Sequence, residues 1–144
     1  MKPLHVLLVD EDEQMQATLQ TILNMESFHI TSAATRLKAL EQLDLKKESE
    51  DPVDFIIISL DMKITSGIKL LSDLNKYGYS LPILTYATHA NSVTMNELLQ
   101  QGIWDFLKKP FTQAEFRESL KNIAKESLRR NQKKINPLLG LELR

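Results

Sequence analysis

The chain has 144 residues, 42% hydrophobic and 26% charged, with a net charge of −1 and a sequence pI of about 6.3. That length fits one globular domain with a sizeable core and leaves no room for a second, and the charge provides no global field for nucleic acid or an anionic membrane. The absence of cysteine excludes disulfides, thiolate metal sites and cysteine nucleophiles, and the apolar run in MKPLHVLLVDEDE is too short for a signal peptide or a membrane span, so a soluble cytoplasmic protein is expected.

Leu4 to Val9 reads as a short valine-rich strand that opens into the acidic run Asp10, Glu11, Asp12 and Glu13. Met15, Leu19, Ile22 and Leu23 then recur on one face of a first helix, Gln14 to Met25. Phe28 to Ala33 is a weaker strand. Leu37, Ala39, Leu40 and Leu43 make a second helix that gives way to the polar run Lys46 to Asp51 before Pro52. The central stretch, VDFIIISLDMKITSG, carries Phe55 to Ile58 and Leu60 interrupted by Ser59, the pattern of a strand buried on both faces that ends in polar groups.

After Gly67, Ile68, Leu71 and Leu74 form a third helical stripe closed by Gly78. Leu81 to Ala87 is another buried strand, with its proline at a permitted early position. Val93 to Gln101 is a fourth helix stopped by Gly102, and Ile103 to Leu107 is a last strand, followed by Lys108, Lys109, Pro110 and Phe111. Thr112 and Glu115 make a capping box ahead of Phe116, Leu120, Ile123 and Leu128 on a long final helix.

Five strands alternating with five helices, the strands too short and apolar to face water, predict an α/β fold with a parallel sheet covered on both sides. The flavodoxin-like doubly wound order 2-1-3-4-5 suits this length, and its switch point brings the ends of strands one and three together. Asp10 and Glu11 are thereby expected beside Ser59 and Asp61, with Ala87, Thr88 and Lys109 closing the cleft.

At HVLLVDEDE, DFIIISLDMKITSG, LPILTYATHA and GIWDFLKKPF the chain resembles the receiver domain of bacterial response regulators, CheY-like proteins of two-component signal transduction, over roughly residues 3–130. The resemblance implies a signalling module, not an enzyme. It also implies a magnesium-holding acidic pair after strand one, a phosphoacceptor aspartate ending strand three, a hydroxyl after strand four and a lysine after strand five. The pair falls on Asp10 and Glu11, and the lysine on Lys109. Counting back from Gly67 puts the acceptor at Ser59, and counting back from Lys109 puts the switch hydroxyl at Ala87; neither has the expected group. The switch aromatic falls on Phe106.

Serine at position 59 is uncharged, is a poor magnesium ligand, and would form a stable ester where an aspartate forms a labile acyl phosphate. Asp61 is the substitute acceptor, or a metal ligand together with Asp10 and Glu11; its plain reading is a loop carboxylate. Lys63, where the family usually has proline, is expected to bring a cation near the acidic pair. Lys109 is expected to pair with Asp10 across the cleft. His89 is a candidate general base or an exposed loop histidine. Trp104 and Phe106 are candidate interface residues, on the surface the family forms from its fourth helix, fifth strand and fifth helix, or else core residues. The cations Lys125, Arg129, Arg130, Lys133 and Lys134 suit a helix C-terminus better than a nucleic-acid surface.

The resulting expectation is an atypical receiver, a pseudo-receiver, acting as a phosphorylation-independent protein-interaction module. Its expected partner is a signalling protein, a histidine kinase or an output domain, with homodimerisation through that same surface and no nucleic acid or membrane. No cofactor beyond weak magnesium binding is expected. The runner-up is a phosphoryl-accepting receiver that uses Asp61 or Ser59 with magnesium; a third reading places a small ligand in the cleft. Residues 131–144 are expected to form a C-terminal tail or a linker.

Overall fold

The computed structural model describes residues 2–63, 66–89 and 92–135. Strands β1 (His5–Val9), β2 (His29–Ala33), β3 (Phe55–Ser59), β4 (Ile83–Ala87) and β5 (Asp105–Lys108) form one sheet in the order β2-β1-β3-β4-β5, every neighbouring pair parallel. The helices between and after them are α1 (Glu13–Met25), α2 (Arg36–Lys46), α3 (Ser66–Lys76), α4 (Ser92–Gln100) and α5 (Gln113–Ile135). This is the expected flavodoxin-like, CheY-type architecture.

Alternation along the strands sorts the core into two layers. Leu7, Val9, Ile56, Ile58 and Ile83 face α2, α3 and α4 through Ala39, Leu43, Leu70, Leu71, Leu74 and Leu98. Val6, Leu8, Phe55, Ile57, Leu84 and Tyr86 face α1 and α5 through Leu19, Leu23, Phe116, Leu120 and Ile123. The three central strands are buried at every position. The outer strands β2 and β5 are partly exposed, contrary to the expectation for all five, because an edge strand has a neighbour on one side only.

Local chemistry fixes the helix ends. Asp12 caps α1, its carboxylate accepting from the N–H groups of Gln14 and Met15, and Thr35 caps α2 by accepting from Lys38 N. The Thr112–Glu115 capping box forms in both directions, at 3.0 and 3.2 Å. Gly78 and Gly102 end α3 and α4 with φ of +78° and +80°, in the left-handed region. The last helix extends past residue 130 to Ile135, and residues 136–144 lie outside the described residues.

One close approach ties the sheet to α3. A Cβ at Gly67 would lie 2.4 Å from the backbone oxygen of Ser59, so glycine is what lets the first turn of α3 sit against the end of β3. Gly67→Ala should therefore cost about 1–3 kcal/mol, as overpacking against rigid backbone does. Urea unfolding should show this as a lower midpoint with an unchanged slope.

Candidate functional site

The register aligns the site residues. Val9 pairs with Ile58 and Ser59 with Tyr86, so Asp10, Ser59 and Tyr86 follow one another across β1, β3 and β4 on the face covered by α1 and α5. Backbone hydrogen bonds continue the ladder past the strand ends: Asp10 N donates to Ala33 O at 3.1 Å, Leu60 N to Tyr86 O at 2.9 Å and Lys109 N to Ala87 O at 2.8 Å. The side chains at the carboxyl end of the sheet are thus held by the sheet's own geometry.

Within this row the phenol of Tyr86 donates a short hydrogen bond to Asp10 Oδ2, and Tyr86 is the register partner of Ser59. Asp10 Oδ1 accepts from Asp12 N at 2.9 Å, and Ser59 Oγ accepts from Asp61 N at 3.2 Å. Asp10, Ser59 and Tyr86 are all buried. Burial pushes the Asp10 carboxyl above the usual carboxylate range, opposed by the Tyr86 and Asp12 hydrogen bonds and by the Lys109 charge. Burial, reinforced by the Asp10 charge, raises the Tyr86 phenol well above its ordinary value, so it serves as a neutral donor.

Lys109 finds its ion pair elsewhere. Its Nζ lies 3.0 Å from Asp61 Oδ2 and 5.1 Å from the centre of the Tyr86 ring. The expected partner was Asp10, but Asp61 approaches closer and Asp10 is occupied by Tyr86 and Asp12. Asp61 also accepts from Thr88, from its backbone N at 3.0 and 3.2 Å and from its hydroxyl at 3.0 Å. Partial burial works to raise the Asp61 carboxyl, but the Thr88 and Lys109 contacts outweigh it and hold the group below its usual range. The hydroxyl missing at Ala87 is thus supplied by Thr88 one residue later, to a carboxylate two residues past Ser59.

The other nominated residues separate. Glu11 Oε1 accepts from the backbone N of Lys63 at 2.9 Å, so the contact expected of the Lys63 ammonium is made by its main chain. His89 is exposed after β4. Asp10, Glu11 and Asp61 share this end of the sheet, but their ligand atoms do not form a group of three within 4.8 Å. Beside Thr88 and Lys109 an open cleft of about 800 Å³ runs between α1 and the β5–α5 turn, with Met15, Leu19, Ile22 and Phe111 in its walls.

The profile of the response regulator receiver domain matches residues 6–121. The chain belongs to this family. The receiver is 31% identical over 133 residues to the two-component response regulator ARR10 of Arabidopsis thaliana, covering 92% of this chain but only 23% of that protein. It is 25% identical to the transcriptional regulatory protein DcuR of Escherichia coli O6:H1, covering 81% of this chain and 48% of that one. The chain thus spans about a quarter to a half of the length of these relatives. Among solved structures it resembles the CheY-like receiver domain protein of Methanospirillum hungatei JF-1, with a TM-score of 0.77, 18% identity and coverage of 90% and 99% of the two chains. A signal receiver domain of an HD domain-containing protein from Pseudomonas fluorescens Pf-5 gives a TM-score of 0.79 at 20% identity, covering 92% and 94%.

On the opposite flank of the receiver, Trp104 is 44% exposed, while Phe106 is half-buried and packs against the α2–α4 layer. Arg129 and Arg130 both pair with the buried carboxylate of Glu126, and Arg130 also donates to Ser80 O at 2.7 Å. Among the described residues no helix is long and apolar enough to cross a membrane.

Sequence reasoning missed Tyr86. The signal was its place beside Ser59 and on the same face as Leu84, legible once the β3–β4 register is known. Tyr86→Phe should cost about 1–3 kcal/mol at neutral pH, because it leaves a buried carboxylate short of a donor; the gap should narrow as the pH falls and Asp10 takes up a proton. Asp61→Asn should cost about 1 kcal/mol at pH 7. The native Asp61 carboxyl is depressed, so this contribution is present above its unfolded pKa of about 3.9 and is lost as the pH falls through the folded value. Denaturant titrations between pH 3 and pH 7 check both outcomes.

Proposed function

We propose that this receiver is a pseudo-receiver, a protein-interaction module held in one conformation without aspartyl phosphorylation. The observation that carries the reading is the Asp61 carboxylate, which already engages the Thr88 hydroxyl and the Lys109 ammonium. In a receiver of the usual kind, a hydroxyl after the fourth strand and a lysine after the fifth meet the phosphoryl group. A carboxylate of the chain itself satisfies both here, while Ser59 stands at the position the family pattern gives the acceptor.

No magnesium step belongs to this reading. Magnesium requires near-octahedral oxygen ligands and keeps several waters, and the donors here do not fit it: both Asp10 oxygens, one Glu11 oxygen and the Asp61 carboxylate have protein partners, and Ser59 is neutral. Asp10, Glu11 and Asp61 serve as internal acceptors.

The partner is a signalling protein of a two-component pathway in the cytoplasm, a histidine kinase or an output domain. Trp104 is its exposed anchor, beside Phe106, on the face formed by α4, β5 and α5; the same face is the candidate for homodimer contact. Residues 131–135 belong to α5, and residues 136–144 serve as the tail or linker.

Intact mass after incubation with acetyl phosphate and magnesium tests the reading. The native chain should gain no phosphoryl group. The Ser59→Asp/Tyr86→Phe variant, which supplies a carboxylate and removes the phenol oxygen beside it, is the positive control. An adduct mapped to Ser59 or Asp61 of the native chain would overturn the proposal in favour of a phosphoryl-accepting receiver.

A further inference from the structure

The amino-terminal end of the sheet, opposite the site above, gathers a second set of polar side chains. His5 and His29 open β1 and β2 and are register partners, so their rings stack at 4.3 Å between centroids and 19° between planes. Asp51, from the turn before β3, meets both. Its carboxylate lies 3.6 Å from His5 Nδ1 and makes a close contact with His29 Nδ1. The three ligand atoms lie within 4.8 Å of one another.

We propose that His5, His29 and Asp51 form a binding site for a divalent transition ion of the zinc class. Two imidazoles and one carboxylate are a borderline N₂O donor set, suited to zinc and poorly matched to magnesium. Donor-to-metal distances near 2.0–2.2 Å put tetrahedral ligands about 3.3 Å apart, so His5 Nδ1 and the Asp51 carboxylate, at 3.6 Å, already stand near that spacing and the closer His29–Asp51 contact has to open to admit the ion. His29 is half exposed and Asp51 is 35% exposed, which leaves both free to rotate, and water takes the fourth position.

His5 is the fixed member of the set. It is fully buried, its Nδ1 lies 2.9 Å from the Asp51 carbonyl, and its Nε2 lies 2.6 Å from Thr31 Oγ1. A carbonyl only accepts, so Nδ1 carries the ring proton and Nε2 accepts from the threonine. On binding the metal both rings take the other tautomer: each Nδ1 gives its lone pair to the ion, His5 Nε2–H donates to Thr31 Oγ1, and the His29 proton moves to its Nε2. A hydroxyl can donate or accept, so the Thr31 contact survives the exchange and orients the ligand. Asp54 stays outside the set, because its carboxylate is held by His5 N at 2.7 Å and Asn131 Nδ2 at 2.9 Å.

The test is isothermal titration of the full chain with zinc, with the cobalt(II) visible spectrum as a report of coordination. One equivalent should bind, and cobalt should show the intense absorption of a four-coordinate site. His29→Ala and Asp51→Asn should abolish binding, and Thr31→Val should weaken it about tenfold. His89→Ala, which removes the remaining histidine of the chain, should leave it unchanged. His29→Gln repeats the test with a bulkier side chain, and far-UV circular dichroism confirms that each variant is folded. The proposal is overturned if zinc does not bind saturably, if binding survives loss of His29, or if it disappears with His89.

Discussion

The carboxyl end of the sheet depends on one hydrogen bond, from the Tyr86 phenol to the Asp10 carboxylate, made in the row that also holds Ser59. A buried carboxylate needs donors in proportion to what it loses in leaving water. Asp10 finds them in Asp12 N and Tyr86, with the Lys109 charge nearby. Side-chain size at position 59 matters for the same reason. Serine is small and neutral, whereas an aspartate there would set a second buried charge beside Asp10.

Charge balance follows from that bond. Because Tyr86 and Asp12 occupy Asp10, the Lys109 ammonium pairs with Asp61 and lies over the Tyr86 ring. Asp61 also receives the backbone and hydroxyl of Thr88, which ties the β3 exit to the start of the β4–α4 loop. The cluster is therefore satisfied internally, with two carboxylates, one lysine, two hydroxyls and a phenol supplying one another's partners. In its buried half, Asp10, Ser59 and Tyr86, a lost partner is not replaced by water, which favours one arrangement there, whereas the Asp61–Thr88 half is open to solvent. That buried half is what supports the proposed single conformation.

The two ends of the sheet carry different chemistry for a topological reason. Parallel strands place all their first residues at one end and all their last residues at the other. His5 and His29 therefore meet across a register pair while Asp10, Ser59 and Lys109 gather at the far side. The long α5 serves both: Phe116 packs near Phe111 and Tyr86 at one end, and Ser127 and Asn131 reach Asp54 near the other.

The element order, the five parallel strands and the gathering of Asp10, Ser59 and Lys109 at the carboxyl end of the sheet were legible in the sequence, because hydrophobic periodicity and the doubly wound connection are properties of the chain itself. The capping box at Thr112 and the turns at Gly78 and Gly102 were legible for the same local reason. Which carboxylate Lys109 would choose was not, since it depends on a separation of a few ångströms between loops far apart in sequence. Neither was the path of the Tyr86 phenol, which looked like one more core residue of an apolar strand until register set it beside Ser59. The pairing of His5 with His29 and Asp51 was hidden likewise. Pattern along a chain determines which residues face the core; only the packed sheet decides which polar groups meet, because hydrogen bonds and ion pairs are settled by distance across strands.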